Sequence, residues 1–198
     1  MNMKLIHSAP LMFCLAIVGC SGTGTNQAGT PKVSQAWLDG YEANLRDAVA
    51  GSKFEVSRID SALVVTAPAD SSFNPKRPEM LLPATLAPIT KVAKLIEKDE
   101  TAGVLIVGHS DNRLGKEDAQ KQTQARARAV ASIFRLSGLK HDRLQTQGLG
   151  AAMPRGSNDN DAGRAQNRRV EILVTQQPAL RAIAAGYAKQ ADTELATK

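Results

Sequence analysis

Aromatic side chains are scarce in this sequence. Phe, Tyr and Trp together make 4% of the residues, with a single Trp, so the core has to be built from aliphatic side chains. There are two cysteines and three histidines, too few for a zinc cluster or a disulfide scaffold. A chain of 198 residues buries most of its apolar surface without such staples. What is present is ordinary for a globular protein: 42% hydrophobic and 22% charged residues. The length suggests one domain with room for an appendage. The formal net charge of +6 favours anionic partners without saying which anion.

Lys4 opens the chain with a positive charge. An apolar stretch from Leu5 to Gly19 follows, interrupted by His7, Ser8 and Pro10. It is shorter than the ~20 apolar residues of a membrane-spanning helix, so residues 1–19 read as a signal peptide removed on export. The stretch ends in Ile17-Val18-Gly19-Cys20, which resembles a bacterial lipobox with Cys20 as the lipid acceptor. Cys14 follows bulky Phe13 and fits that pattern badly. It leaves with the signal, so the mature chain keeps one cysteine and no disulfide. Residues 20–32 then form the lipidated cysteine and a flexible polar tether. Two or more acyl chains, each contributing about 0.8 kcal/mol per buried CH₂, hold such an anchor stably. Ser21, where Asp would stand otherwise, resembles lipoproteins sent on to the outer membrane.

Along the mature chain, Val33, Trp37, Tyr41, Leu45 and Val49 recur near every fourth residue. They predict a helix over 33–50 within an N-terminal segment 33–52, ended by Gly51. Residues 53–67 alternate and then run β-branched, as a strand does. Four prolines between 68 and 83 predict a loop. Leu86, Ile89, Val92, Ala93 and Ile96 form the apolar face of a second helix over 84–99, opposite Lys91, Lys94, Glu97 and Lys98. Val104 to Val107 make a continuous apolar strand, which requires cover on both faces. A polar loop, 109–114, leads to a long helix over 116–136 with Ala127, Val130, Ala131 and Phe134 as its stripe. Residues 143–149 read as a strand, 150–167 as a polar loop, and 170–174 as the last strand. Pro178 breaks that strand, and a short alanine-rich helix trails through 178–198. The order β-α-β-α-β-β predicts an α/β sandwich with a mixed sheet.

Two stretches stand out together. One is Val107-Gly108-His109-Ser110-Asp111-Asn112, continuing to Arg126-Ala127-Arg128-Ala129-Val130. The other is Gly163-Arg164-Ala165-Gln166-Asn167-Arg168-Arg169-Val170-Glu171-Ile172. Both resemble the OmpA-like peptidoglycan-binding domain shared by outer-membrane porin tails, Pal lipoproteins and flagellar stator proteins. Gly148-Leu149-Gly150, Pro154 and Asn158 match the same pattern. The resemblance covers roughly residues 54–176, within a domain taken as 53–177.

Asp111 lies just past the C-terminal end of a buried strand, the edge where ligands of open α/β sheets gather. Arg126 lies fifteen residues on, at the border of its helix's apolar stripe. An aspartate accepts from an ammonium, and an arginine forks onto a carboxylate. Together they suit a zwitterionic amino-acid head, although such a pair more often makes a surface ion pair contributing about 0–1 kcal/mol. The resemblance implies the ligand: the diaminopimelate side chain of peptidoglycan stem peptides, held by Asp111 and Arg126. It also implies that Asn167 and Arg168 lie near the ligand and help build the pocket. The family usually carries Asn where Ala119 stands and Leu-Ser where Gln122-Thr123 stands. Thr123 replaces the serine hydroxyl, whereas Ala119 implies a missing contact.

Other residues fit blander roles. His109 and His141 have no nucleophile or paired carboxylate spaced for catalysis, so His109 reads as packed or loop-ordering. Arg128 reads as solvated. Arg164, Arg168 and Arg169 have no aromatic platform beside them, which argues against nucleic acid. Arg169 and Glu171 read as alternating structural or solvated residues. The expectation is therefore a non-catalytic, periplasm-facing outer-membrane lipoprotein, without metal or cofactor, that ties the membrane to peptidoglycan. The rival is an assembly lipoprotein whose main partner is another envelope protein, docked on the first and last helices. A cell-wall enzyme lacks its constellation.

Overall fold

The computed structural model describes residues 31–196; the signal peptide and Cys20 lie outside the described residues. The first helix, α1, spans Gln35–Val49 and is capped by the Ser34 hydroxyl, which accepts from the Trp37 N–H at 3.3 Å. Leu38, Tyr41, Leu45 and Val49 are its buried face. Trp37 sits half out, stacked on Tyr41 with ring centroids 4.4 Å apart and donating its indole N–H to Asp99 at 2.9 Å.

Residues 53–68 hold two strands where one was expected. β1 (Glu55–Ile59) and β2 (Ala62–Pro68) form a hairpin closed by Asp60 and Ser61. The proline-rich stretch is also ordered. It forms a single turn of helix, α2 (Ala69–Ser72), and a small hairpin of β3 (Phe73–Asn74) and β4 (Arg77–Leu81). Its prolines stand where no ladder hydrogen bond from them is needed, at a strand end, in the turn and at the edge. Then follow α3 (Pro83–Glu97), with Pro at its first turn, β5 (Ala102–His109), α4 (Lys116–Leu136), β6 (Leu144–Gly148), α5 (Asp161–Asn167), β7 (Arg169–Gln176) and α6 (Gln177–Ala196). So α5 closes the loop expected over 150–167. Pro178 opens a long final helix in its first turn rather than merely breaking a strand.

The five-stranded sheet runs β1-β2-β7-β5-β6. All pairs are antiparallel except β5 and β6, which α4 connects in parallel. This is the expected mixed α/β sandwich. One face of the sheet takes α1, α3 and α4. The other takes α6, with Leu180 against Gly103, the Ala184 carbonyl accepting from Gln147 at 2.8 Å and Tyr187 over Glu171. Val104–Val107 are thus covered on both sides and fully buried. The apolar faces of α1 and α6 are part of this core. Leu86 is a smaller correction: it is 40% exposed, while Ile89, Val92, Ala93 and Ile96 are buried.

Two features fix the ends of the sheet, the glycines at the site's end and Arg143 at the opposite one. Gly108 and Gly148 let α4 lie directly on the sheet, since a Cβ at Gly108 would fall on the Thr123 carbonyl and one at Gly148 on the Gln124 backbone. Buried Arg143 donates to the carbonyls of Ala102 and Ile96, both at 2.7 Å, and to that of Asp99. It thereby satisfies the C-terminal end of α3, where carbonyls otherwise lack partners.

Candidate functional site

The last strand residues of β5 deliver Asp111 to a cleft of about 390 Å³. The delivery is rigid: the Leu149 N–H donates to the Gly108 carbonyl at 3.0 Å, and the Ser110 N–H to the Gly150 carbonyl at 2.8 Å. The Thr123 hydroxyl donates to the Ala119 carbonyl and accepts from the Gly150 N–H at 3.1 Å, tying that turn to α4. Asp111 is 4% exposed. One carboxylate oxygen accepts from the Arg113 N–H at 3.1 Å, as in an Asx turn, and the other from Arg168 Nη1 at 2.5 Å.

Arg168 also forks onto Asp70, with Nε to Oδ1 at 2.8 Å and Nη2 to Oδ2 at 2.6 Å. Asp70 comes from α2, brought there by the Ala69 N–H donating to the Arg168 carbonyl at 2.9 Å. The hydrogen bond from Arg168 holds the Asp70 carboxyl below its ordinary range and pushes the Arg168 guanidinium up.

Arg126 reaches the same cleft from α4 and is 7% exposed. Its Nε donates to the Pro78 carbonyl at 2.9 Å, and its guanidinium lies over the Phe73 ring at 5.4 Å. Its Nη1 is buried without a hydrogen-bond partner among the described residues. Burial pulls its pKa down, against the attraction of Asp70, and an arginine stays charged regardless. Carboxylates of Asp70 and Asp111 and the guanidinium of Arg126 thus line one cleft, with Leu114 and Gln122 also on its walls.

The structure brings Asp111, Arg126 and Arg168 together. Asn167 stands behind them, fully buried. It accepts from the Arg155 and Gly156 N–H groups at 2.7 and 2.9 Å and donates to the Gly156 carbonyl and the Asn158 side chain at 2.9 and 3.0 Å. Its amide is spent on ordering the 155–158 loop. Asn158 in turn accepts from the Asn112 N–H at 3.4 Å, so Asn167 shapes the cleft's rim and does not line the cleft. Ala119 is buried beside the Gly150 turn, outside the cleft walls. Gln122 lines the wall instead.

Arg169 and Glu171 also differ from expectation. Two residues apart on β7, they share a face, and both are buried: Arg169 Nε meets Glu171 Oε1 at 2.6 Å, and Arg155 Nη2 meets it at 2.8 Å. His109 packs there, 1% exposed, with Nε2 3.5 Å from Glu171 Oε2. Arg128 is exposed.

Sequence reasoning missed Asp70, Phe73 and Pro78. The available signal was Phe73 itself, a lone aromatic inside a proline-rich stretch of an aromatic-poor chain. A larger cavity, about 570 Å³, lies between the end of α1 and α3. Lys53 and Lys91 are the charges on its walls, and no carboxylate faces them, so the smaller cleft is the candidate.

Residues 72–168 match the model of the OmpA family, and that span holds Asp111, Arg126 and Arg168. The chain carries an OmpA family domain. Among curated relatives, "Probable lipoprotein YiaD" of Escherichia coli (strain K12) is 34% identical over 139 residues, covering 70% of this chain and 63% of that one. "Peptidoglycan-binding protein ArfA" of Mycobacterium tuberculosis (strain ATCC 25618 / H37Rv) is 39% identical over 95 residues, 48% of this chain and 29% of that one. The chain thus covers less than two thirds of the length of either. Among solved structures, the cell wall anchor of the T6SS from Pseudomonas aeruginosa superimposes with a TM-score of 0.56. It is 26% identical, over 74% of this chain and 99% of that one. In this chain the cleft lies where the β5 end, α4 and the α5–β7 junction meet.

Proposed function

We propose that this protein is a non-catalytic lipoprotein that binds peptidoglycan through the zwitterionic end of diaminopimelate in the stem peptide. Asp111 accepts from the ammonium, and Arg126 donates to the carboxylate. The observation that carries the reading is one cleft lined by Arg126 and by two aspartates, together with Arg126 Nη1, a buried charged donor without a partner among the described residues. Leaving such a donor unfilled costs about 1–3 kcal/mol, and a ligand carboxylate recovers it. The name of the ArfA relative states peptidoglycan binding, and that of YiaD states a lipoprotein.

In this reading Cys20 carries the lipid, and the domain faces the periplasm from the outer membrane. Residues 21–32, extended, reach at most about 40 Å at ~3.3–3.6 Å each, enough to bring the domain to a nearby wall. Co-sedimentation with purified diaminopimelate-type sacculi tests the reading. The wild type should pellet with sacculi, and Arg126→Ala, with its fold confirmed by circular dichroism, should remain in solution. Equal pelleting of the two would overturn the assignment.

A further inference from the structure

Arg168 occupies the very oxygen that an incoming ammonium needs. Its Nη1 lies 2.5 Å from Asp111 Oδ2, and the other Asp111 oxygen is taken by the Arg113 N–H. A second cation placed on Asp111 would meet the guanidinium at close range and be repelled. Yet Arg168 has a second, better anchor. Its Nε and Nη2 form a two-point fork on Asp70, the strongest geometry for such a pair. Asp70 is half exposed, whereas Asp111 is buried.

We propose that Asp70 is a positioning residue that parks Arg168, so that Nη1 can release Asp111 to the ligand's ammonium. This rests on the reading of Asp111 as the ammonium acceptor. In the ligand-free state Arg168 bridges both carboxylates and keeps the buried one neutralised. When the ammonium arrives, the Asp70 fork stays in place and one hydrogen bond is exchanged. Without the Asp70 charge, Arg168 has Asp111 as its sole anion and competes fully with the ligand. Asp70 therefore acts on the ligand through Arg168, not by touching it.

This predicts a rescue that a structural or contacting role would not give. Titration of the full chain with a tripeptide ending in meso-diaminopimelate should show Asp70→Asn binding about tenfold more weakly than wild type, about 1.4 kcal/mol. Asp70→Glu should bind within about threefold of wild type, because the fork can re-form. Adding Arg168→Gln to Asp70→Asn should recover most of the lost affinity, because the competitor is gone. Should the glutamine variant fail to fold, Arg168→Met replaces it, since it keeps much of the apolar stem and carries no charge to compete for Asp111. Wild-type affinity in Asp70→Asn would overturn the proposal. So would a double variant no tighter than Asp70→Asn, which would make Asp70 a direct contact. An Asp111→Asn control separates the two levels: if it binds as well as wild type, the ammonium assignment fails and the parking role falls with it.

Discussion

Glu171→Gln tests the charge cluster buried between β7 and α6. Glu171 is 2% exposed and meets Arg169 at 2.6 Å, Arg155 at 2.8 Å, His109 at 3.5 Å and the Tyr187 hydroxyl at 3.4 Å. The amide is nearly isosteric, so the change removes charge and little volume. It leaves the buried Arg169 guanidinium beside Arg155 with no anion between them. Breaking one side of a buried pair costs about 3–5 kcal/mol, a large part of the roughly 5–15 kcal/mol that holds a domain together. At about 2–4 °C per kcal/mol for a chain of this size, the melting temperature at neutral pH should fall by roughly 6–20 °C. The variant should also change the pH profile. Burial alone would raise the Glu171 pKa, but His109, Arg169 and Arg155 outweigh it and hold the group well below its ordinary 4.5. A depressed carboxyl contributes stability that is present above its unfolded value and is lost as pH falls below it. His109 is held below its ordinary 6.5 by burial. The unfolded chain therefore takes up that proton first, and stability begins to drop as pH falls through 6.5. Glu171→Gln should flatten the limb below about pH 4.5 and keep the limb that begins near 6.5. Melting followed by circular dichroism across pH measures both. A melting temperature within a degree or two of wild type, or an unchanged acid limb, would refute the reasoning.

Other changes should act at single points. Arg143→Met keeps the stem and removes the donors to three carbonyls, so urea unfolding should show a loss of roughly 3 kcal/mol or more. Gly108→Ala drives a Cβ into the Thr123 carbonyl, and overpacking of this kind should cost at least about 1–3 kcal/mol by the same assay. Ala119→Asn should lower stability without tightening ligand binding, because Ala119 is buried outside the cleft; a calorimetric gain in affinity would contradict this. Cys20→Ser should move the protein from the membrane fraction to an unacylated form, and unchanged acyl labelling would contradict the anchor.

The sequence made the regular parts of the fold legible. The stripe Ala127, Val130, Ala131, Phe134 located α4 at its observed limits, and the unbroken run Val104–Val107 signalled a strand covered on both faces. The β3–β4 hairpin was hidden because Pro75 and Pro78 read as loop punctuation, although one sits in its turn and the other on an edge strand that tolerates proline. That misreading also hid Asp70 and Phe73, which reach the cleft only through the pairing of β2 with β7. Asp111, Arg126 and Arg168 were legible because each lies in a stretch with its own motif. Arg169 and Glu171 read as alternating, although a spacing of two puts them on one face; their burial depends on α6, whose alanine-rich sequence concealed its length.

The central claim is that Arg126 and Asp111 read the two charges of one amino-acid head. Calorimetric titration with two tripeptides tests it most directly. One ends in meso-diaminopimelate; the other ends in lysine, which has the ammonium but lacks the side-chain carboxylate. Wild type should prefer the first by tenfold or more, since a charged hydrogen bond contributes about 1.5–3 kcal/mol. Arg126→Ala should erase that preference, whereas Asp111→Ala should weaken both ligands alike. Equal binding of the two peptides by wild type, or a preference that survives in Arg126→Ala, would contradict the account.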